Sequence, residues 1–451
     1  MNSHVFREYD IRGIVENDFD DAFVVDLGRG YATLLHRAGK KTITLGRDCR
    51  LSSDRLRDRL AEGLLGAGIN LVDIGVVPTP LLYFSMLSWK MDGGAMITGS
   101  HNAAEYNGFK LGVGPTTIHG AEIQRLREII ERRDFVTTGA KGSYVERPVI
   151  PDYNDFIMSQ FKLTPGLKVV VDGGNGCGGV IAAPLMKRLG LDTIELYTEM
   201  DGRFPNHHPD PTVEENMRDL VAAVKKNRAA IGIAYDGDAD RVGAVDENGK
   251  IVWGDELMVA FSRAILRERP GATIIGDVKC SKRMYDDIAQ HGGRPIMWKT
   301  GHSLIKSKLK EEHAALAGEM SGHMFFADRY FGFDDAIYAS FRILEILSRE
   351  GRGLAAILAD LPASHFTPEI RLDCPDDRKF EVVRKAADYF RKHYEVIDID
   401  GVRVNFPDGW GLVRASNTQP ALVTRFEATS EKRLAEIRAL FDDKLRELGA
   451  I

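Results

Sequence analysis

The sequence predicts an α/β protein whose several domains surround a cleft. Strand-like apolar runs alternate with helical patterns over most of the chain, which is typical of α/β domains. At 451 residues the chain is too long for one hydrophobic core, and ordinary domain sizes give about three or four domains. After Pro362 the order changes to strand, helix, several strands and a closing helix. This change indicates a smaller α+β domain at the end of the chain.

The alternation of elements restarts twice before this tail. The first unit has predicted strands at 42–45, 70–74 and 94–97 and a helix at 54–66. Two prolines then interrupt the pattern near 146–151. The second unit has predicted strands at 168–171, 193–196 and 230–234 and helices at 180–189 and 214–227. The third has a helix at 255–267 and strands at 273–276, 294–298 and 314–317, and the tail has a strand at 411–413 and a helix at 430–448. We therefore place four domains at 1–147, 148–252, 253–363 and 364–451.

Composition excludes several classes of function. A hydrophobic content of 44% and a charged content of 28% are those of a globular protein. The net charge of -6 gives no support to a nucleic-acid or membrane-surface role. No stretch is apolar enough to span a bilayer, and the N-terminus lacks the apolar core of a signal peptide. Four widely spaced cysteines (Cys49, Cys177, Cys280, Cys374) indicate neither a zinc site nor a disulfide framework. We expect a cytoplasmic protein without nucleic-acid or membrane partners.

An acidic loop is the strongest chemical signal in the chain. Asp236, Asp238 and Asp240 stand on alternate residues directly after the apolar run 230–234, and Arg241 follows them. Three carboxylates packed so closely repel one another unless a cation neutralises them. Ligands that are all oxygen favour a hard ion, with magnesium ahead of any thiophilic metal. The loop therefore predicts a magnesium site at the end of a strand.

Two other interpretations of this loop are open. In an EF-hand beginning at Asp236, Glu247 would supply the twelfth position, but position six is Arg241 rather than glycine and both flanks are predicted strands. A solvated acidic turn is the simpler alternative. The polar loops elsewhere in the chain favour the metal.

A serine loop follows the strand at 94–97. Ser100 stands between Gly99 and His101 and is a candidate nucleophile or phosphate carrier, because glycine permits a close approach of the backbone. Lys110, one short hairpin further on, can balance phosphate charge or move protons. The alternative is an ordinary Ser/Asn turn. The sequence has no Gly-x-Ser-x-Gly elbow, so a hydrolase triad is not supported.

Two later loops carry groups that suit a sugar phosphate. Glu319 and Ser321 are two residues apart and project the same way from an extended segment, and paired acceptor and donor groups suit vicinal hydroxyls. His323, two residues further on, is a candidate for the same site, and a buried core histidine is an equal alternative. The fourth loop combines a guanidinium with short donors, which suits a phosphate, although a polar turn is an equal alternative. Its residues are Arg414, Ser416, Asn417 and Thr418.

The glycine-rich segment 174–179 matches a dinucleotide-binding fingerprint. Asp172 and Gly173 before it make the turn longer and richer in glycine than a dinucleotide turn requires. We interpret the glycines as a tight connection between a strand and a helix, and not as a dehydrogenase signature.

Taken together, these loops resemble the α-D-phosphohexomutase family over essentially the whole chain. The resemblance includes the opening 6–13, the Ser100 loop, the Asp236 loop, 299–303, the Glu319 loop and the Arg414 loop. It implies three similar mixed α/β domains and a C-terminal α+β domain of TATA-binding-protein-like type around a central cleft. Two departures stand out: Ala103 replaces a proline common in the family, which would loosen the serine loop, and Ala239 replaces a frequent glycine.

The resemblance also implies roles for individual residues. Ser100 would carry the phosphoryl group, and Asp236, Asp238 and Asp240 would bind one Mg²⁺ with a phosphoserine oxygen. The residues around the reacting phosphate would be Arg12, His101, Lys110, Arg241 and His323, with Lys110 and His323 as proton carriers. The substrate contacts would be Tyr9, Lys279, Gly301 and His302, with Glu319 and Ser321 on sugar hydroxyls and Arg414, Ser416, Asn417 and Thr418 on the phosphate that does not react.

The implied reaction is reversible phosphoryl transfer between hexose 1-phosphate and hexose 6-phosphate through a hexose 1,6-bisphosphate, with mannose or glucose as the sugar. The fourth domain would close over the substrate to exclude water. The alternatives are a phosphoglucosamine mutase of the same family, a metal-dependent sugar phosphatase with an Asp nucleophile, and a non-enzymatic sugar-phosphate binder. We expect small-molecule sugar phosphates as partners and a monomer or weak homo-oligomer.

Overall fold

Four sheets, each formed by one continuous stretch of sequence, make up the protein. The structure is a computed structural model that describes residues 2–417 and 420–450. Apart from two short 3₁₀ helices at Ser3–Val5 and Glu214–Met217, the secondary structure described below consists of α-helices and strands.

The first stretch folds into a seven-stranded sheet in the order β1-β5-β4-β2-β3-β7, with β6 paired to β5. Its strands are β1 (Ile11–Ile14), β2 (Thr42–Arg47), β3 (Asn70–Val76), β4 (Gly93–Ile97), β5 (Tyr106–Val113), β6 (Thr116–Thr117) and β7 (Tyr144–Glu146). Its helices are α1 (Val15–Asp18), α2 (Asp21–Arg37), α3 (Ser53–Gly66), α4 (Thr79–Ser88) and α5 (Ala121–Glu131). Gly28 of α2 and Gly63 of α3 let these two helices touch backbone to backbone, because a Cβ at either would collide with the other helix.

The second stretch forms a five-stranded sheet in the order β12-β11-β10-β8-β9. Its strands are β8 (Lys168–Asp172), β9 (Asp192–Leu196), β10 (Ile231–Tyr235), β11 (Val242–Asp246) and β12 (Ile251–Val252). Its helices are α6 (Ile150–Gln160), α7 (Gly179–Arg188) and α8 (Arg218–Asn227). The helix predicted at 214–227 is therefore α only from Arg218, because its first turn is the tighter 3₁₀ form that is frequent at helix ends.

The third stretch forms a four-stranded sheet in the order β14-β13-β15-β16. Its strands are β13 (Thr273–Asp277), β14 (Arg294–Trp298), β15 (Leu316–Gly318) and β16 (Met324–Phe326). Its helices are α9 (Gly254–Glu268), α10 (Lys282–Gln290), α11 (His302–Glu311), α12 (Ala336–Glu350) and α13 (Leu354–Ile357).

The last stretch forms a six-stranded antiparallel sheet in the order β17-β22-β21-β20-β19, with β18 paired to β22. Its strands are β17 (His365–Phe366), β18 (Ile370–Asp373), β19 (Glu395–Ile397), β20 (Val402–Phe406), β21 (Gly409–Ala415) and β22 (Ala421–Ala428). Its helices are α14 (Lys379–Phe390) and α15 (Glu431–Glu447). The predicted architecture of several α/β units followed by an α+β unit is confirmed.

The hydrophobic cores show which parts of the chain are packed together. The largest cluster runs from α4 of the first unit through the second and third units, so these three share apolar packing. The last unit has its own cluster and meets the third unit through a small one that contains Val278, Trp410 and Leu412. Among the described residues, the helices are all too short or too polar to cross a bilayer.

Candidate active site

A cavity of about 370 Å³ receives residues from all four units. Every predicted site residue that the structure describes lines this cavity, except Asp236 and Asp238, which are fully buried. Those lining residues are Tyr9, Arg12, Ser100, His101, Lys110, Asp240, Arg241, Lys279, Gly301, His302, Glu319, Ser321, His323, Arg414, Ser416 and Asn417. Thr418 lies outside the described residues. The four predicted loops, far apart in sequence, thus meet in one cleft.

Ser100 follows β4 and is held against the acidic loop of the second unit. Its Oγ donates a hydrogen bond to Asp236 Oδ2 over 3.0 Å and lies 3.2 Å from His101 Nδ1. Burial, and then the nearby charges of Arg241 and Arg12, hold the pKa of His101 well below its ordinary value. The imidazole is therefore neutral at pH 7. Ser100 itself has a left-handed backbone with φ of 49°, a conformation that costs a non-glycine residue about 1–3 kcal/mol.

The acidic loop follows β10 and is completely enclosed, with Asp236, Asp238 and Asp240 all at most 1% exposed. Burial, followed by the charges of Asp240 and Asp238, raises the pKa of Asp236 well above its ordinary value. The Asp238 and Asp240 Oδ1 atoms lack a hydrogen-bond partner among the described residues. One oxygen from each of the three carboxylates lies within 4.8 Å of the others. This donor set fits a hard cation, because unpartnered buried carboxylate oxygens are otherwise costly.

Lys110 of β5 provides a cation in the same cluster. Its Nζ donates to Asp238 Oδ2 over 2.8 Å and to Asp240 Oδ2 over 2.5 Å. Although burial opposes the charge, these two carboxylates raise the pKa of Lys110 well above its ordinary value. Asp238 Oδ2 also accepts hydrogen bonds from Thr79 Oγ1 and Thr98 Oγ1. Lys110 is therefore a buried ammonium group that joins the first unit to the acidic loop of the second.

His323 lies between a guanidinium and two carboxylates. Arg241 Nε donates to His323 Nε2 over 3.0 Å, and the two residues also form an isolated antiparallel β-bridge. Since Nε2 accepts this bond, the ring proton of His323 is on Nδ1. Nδ1 lies 3.1 Å from Asp334 Oδ2 and 3.6 Å from Asp240 Oδ1. His323 is thus not an isolated core histidine but part of a polar network on the cavity wall.

The Glu319 loop follows β15 and faces the same space. Ser321 Oγ donates to Glu319 Oε2 over 2.9 Å, and Gly301 N donates to Glu319 Oε1 over 2.8 Å. Gly301 has a φ of 132° and lies so close to the ring of Tyr9 that a Cβ would collide with it. The Tyr9 hydroxyl donates to Thr300 O over 2.7 Å. The carboxylate and hydroxyl predicted to act together are therefore adjacent.

The fourth loop supplies a buried guanidinium. Arg414 Nε donates to Asp400 Oδ2 over 2.9 Å, and Asn417 Nδ2 donates to the Tyr9 hydroxyl over 2.7 Å. Lys279 of the third unit lies near it and donates to Glu369 Oε2 over 3.0 Å. Because Arg414 and Lys279 place two cationic side chains on one wall, this part of the cleft is suitable for an anion.

Several residues that contribute to the site were not predicted from the sequence. Asp334 contacts His323, and Arg50 binds the serine loop through four backbone carbonyls. Arg403, almost fully buried, donates to the carbonyls of Val278 and Cys280 on either side of Lys279. Asp334 and the two arginines belong to no motif in the sequence, so no local signal identified them.

The glycine-rich segment 174–179 packs against the acidic loop. Cys177 N donates to Gly237 O over 2.9 Å, and a Cβ at Gly176 would lie 2.5 Å from the same oxygen. The EF-hand interpretation is wrong, because strands β10 and β11 flank the acidic loop where an EF-hand has helices. Glu247 instead accepts a hydrogen bond from Ala355 N in the third unit. Ala239 is fully buried with a φ of 54°, which costs an alanine about 1–2 kcal/mol.

These features define a class of protein: a four-domain α/β protein whose cleft combines a candidate metal site with groups that suit a sugar phosphate. Four family models match the chain in order, described as phosphoglucomutase/phosphomannomutase α/β/α domains I, II and III and the C-terminal domain. They cover residues 3–137, 151–249, 253–365 and 369–444. The chain belongs to the phosphoglucomutase/phosphomannomutase family.

Individual relatives cover nearly the full chain. A phosphomannomutase/phosphoglucomutase of Pseudomonas aeruginosa is 45% identical over 447 residues, which are 99% of this chain and 96% of the relative. A phosphoglucomutase of Neisseria gonorrhoeae is 44% identical over 440 residues, 97% of this chain and 95% of the relative. A crystal structure of a family protein from Burkholderia thailandensis superimposes with a TM-score of 0.91 at 43% identity, covering 99% of this chain and 98% of that one.

Proposed function

We propose that this protein is a phosphohexomutase that reversibly converts hexose 1-phosphate and hexose 6-phosphate through a phosphoserine at Ser100. The observation that carries the proposal is the position of Ser100 Oγ, 3.0 Å from an enclosed acidic loop and in the same cavity as Arg414. A mutase needs one place where a phosphoryl group reacts and another that holds the second phosphate. Glu319 and Ser321 then bind the sugar hydroxyls between these two phosphate positions.

Two phosphoryl transfers make up the reaction. In the first, the P–O bond to Ser100 Oγ breaks as a new P–O bond forms to the free hydroxyl of the bound sugar phosphate. The bond from Arg241 Nε to His323 Nε2 opens, and the hydroxyl proton passes to that nitrogen. Lys110 returns a proton to the departing serine oxygen. The hexose 1,6-bisphosphate then turns over in the cleft, and its other phosphoryl group moves to Ser100 with the proton transfers reversed. General acid-base help of this kind contributes about 100- to 10,000-fold.

The cationic side chains stabilise charge during both transfers. Arg241 lies beside His323, and Arg12 donates to Gly99 O over 3.1 Å and to Asn102 Oδ1 over 2.7 Å, at the rim of the serine loop. His101, which is neutral, orients the serine hydroxyl. Tyr9, His302, Gly301 and Lys279 contact the substrate. Asp236, Asp238 and Asp240 would hold one Mg²⁺, which when bound offsets negative charge on the transferring phosphoryl oxygens.

The alternative of an Asp nucleophile is disfavoured by the contacts of Asp236. Its Oδ1 accepts hydrogen bonds from the backbone N–H groups of Asp240 and Arg241, and its Oδ2 accepts from Ser100. Both oxygens are therefore engaged, which leaves Ser100 as the better phosphate carrier. Among sugars we propose mannose and glucose phosphates, since the relatives with 44–45% identity carry those names. Turnover with glucosamine phosphate alone would instead indicate a phosphoglucosamine mutase.

The phosphoserine is tested by intact-protein mass after incubation with glucose 1,6-bisphosphate. We expect one added phosphoryl group on the wild type and none on Ser100→Ala, together with loss of mutase activity on mannose 1-phosphate and glucose 1-phosphate. Ser88→Ala is a matched control, because Ser88 donates only to Phe84 O, outside the cleft. A Ser100→Ala protein that converts substrate at the wild-type rate, or a wild type that only releases free phosphate, contradicts the mutase.

The metal is tested by thermal unfolding with and without Mg²⁺. Because ligand binding to the folded state alone stabilises it by about 2.7 kcal/mol at 100 times Kd, we expect the Tm to rise with Mg²⁺ and EDTA to remove activity. Asp240→Asn should lose most of the Tm rise, whereas Asp192→Asn, on the surface of the second unit, should keep it. An equal rise in both variants would show that the ion binds elsewhere.

A further inference from the structure

Arg50 is a buried arginine whose side chain is completely enclosed beneath the serine loop. It uses all five of its N–H donors. Nη2 donates to Ser100 O over 2.9 Å and to Asn102 O over 2.5 Å. Nη1 donates to Ala103 O over 2.5 Å and to Tyr106 O over 3.0 Å. Nε donates to Asp48 Oδ2 over 3.1 Å. A single guanidinium fork therefore fixes four carbonyls within seven residues.

Asp48 completes this arrangement from the other side of the loop. Its Oδ2 also accepts from Gly99 N over 3.0 Å, and its Oδ1 accepts from Arg50 N and Ser53 Oγ. The pair thus binds the backbone N–H before Ser100 and the backbone carbonyl of Ser100. Gly99 is required by this contact, because a Cβ there would collide with Arg50 Nε. The strained φ of 49° at Ser100 lies between these two anchors.

The second unit covers the guanidinium from above. Phe204 places its ring 5.0 Å from the Arg50 guanidinium. Gly202 touches the backbone of residues 49–51, where a Cβ would lie 2.5 Å from Cys49 O. Arg50 is therefore held from the second unit while it holds the serine loop of the first.

We propose that Arg50 is the positioning residue for Ser100: it holds the serine loop in the strained backbone that aims Oγ at the acidic loop. This proposal rests on the proposed mutase function. The bonds to Ala103 O and Tyr106 O extend this support to the second half of the loop. Arg50 does not touch the substrate, so its effect is on the geometry of transfer and not on binding of the sugar.

The test compares Arg50→Lys and Arg50→Ala with the wild type and with Arg57→Met. Arg57 lies in the same unit and pairs with buried Asp73, away from the serine loop. Because a displacement of about 1 Å can cost about 100-fold in rate, we expect kcat and the rate of Ser100 phosphorylation to fall about 100-fold in Arg50→Lys, with KM changed less than about threefold. Hydrogen exchange at amides 99–106 should accelerate, and guanidinium ion should restore part of the kcat of Arg50→Ala.

Near-wild-type kcat in a folded Arg50→Lys, or unchanged exchange at 99–106, overturns the proposal. If Arg50→Ala does not fold, Arg50→Lys, which keeps the charge and loses the fork, decides the question by the same measurements. A proportional loss of kcat with raised KM and no local change in exchange points to a general structural role and also overturns it. Failure of the mutase function is separate, because it would appear as an inactive wild type while the exchange measurement still reports whether Arg50 holds the loop.

Discussion

Lys110→Met is expected to lose about 3–5 kcal/mol of unfolding free energy, because it leaves buried Asp238 and Asp240 without their ammonium partner. We also expect kcat to fall at least ~100-fold, since the variant loses a proton carrier of the proposed reaction. Methionine keeps most of the side-chain length, so the change is mainly electrostatic. Urea unfolding in EDTA and steady-state kinetics with glucose 1-phosphate measure the two effects.

The Lys110→Met variant also shows whether the loss of stability has an electrostatic or a steric cause. Mg²⁺ would supply positive charge to the same carboxylates, so it should raise the stability of Lys110→Met more than that of the wild type. Lys308→Met is a control: Lys308 has a side chain that is only 11% exposed, but its partners Glu311 and Glu312 are 65% and 21% exposed, so its removal should cost much less. A Lys110→Met protein as stable as the wild type in EDTA would show that another group neutralises the acidic loop.

The order of helices and strands could be predicted because it depends on the local periodicity of apolar residues. Apolar runs such as 168–171 and 231–234 are strands because they are buried on both faces of a sheet. The acidic loop that follows the second of them reaches the cleft. The first and last residues of each element are predicted less accurately than its type. For example, the strand predicted at 314–317 is Leu316–Gly318, because Ala314 still bonds back to Leu309 at the end of α11.

The contacts between loops could not be predicted from periodicity. Ser100 and Asp236 are 136 residues apart, and their hydrogen bond depends on how two sheets pack. The family resemblance supplied the reacting groups but not the residues that support them. Arg50 and Asp334 act through tertiary contacts, and no spacing of residue types in the sequence indicates such contacts. The residues that hold a site in place are therefore found only in the folded structure.

Asp334→Asn is expected to lower kcat about 100- to 10,000-fold with little change in KM, because it disturbs the proton carrier His323 without touching the sugar. Asp334 is fully buried; burial favours its neutral form, but Lys306, whose Nζ lies 3.2 Å from Oδ1, and then His323 hold its pKa well below the ordinary value. A carboxylate 3.1 Å from Nδ1 favours the tautomer with the proton on that nitrogen. The lone pair of Nε2 accepts from Arg241 Nε, and it takes up the substrate's proton when that bond opens in the proposed reaction. Steady-state kinetics measure the loss.

A tautomer measurement separates this role from simple structural support. An asparagine amide can donate to Nδ1, which would move the ring proton to Nε2 and set it against the donating Nε of Arg241. ¹⁵N NMR of labelled histidine should show this change for His323. The neighbouring Asp335→Asn is the control, because Asp335 caps α12 and accepts from Tyr153 and Tyr330, and asparagine caps a helix as well as aspartate. If Asp334→Asn keeps both the wild-type tautomer and the wild-type kcat, His323 takes its orientation from Arg241 alone.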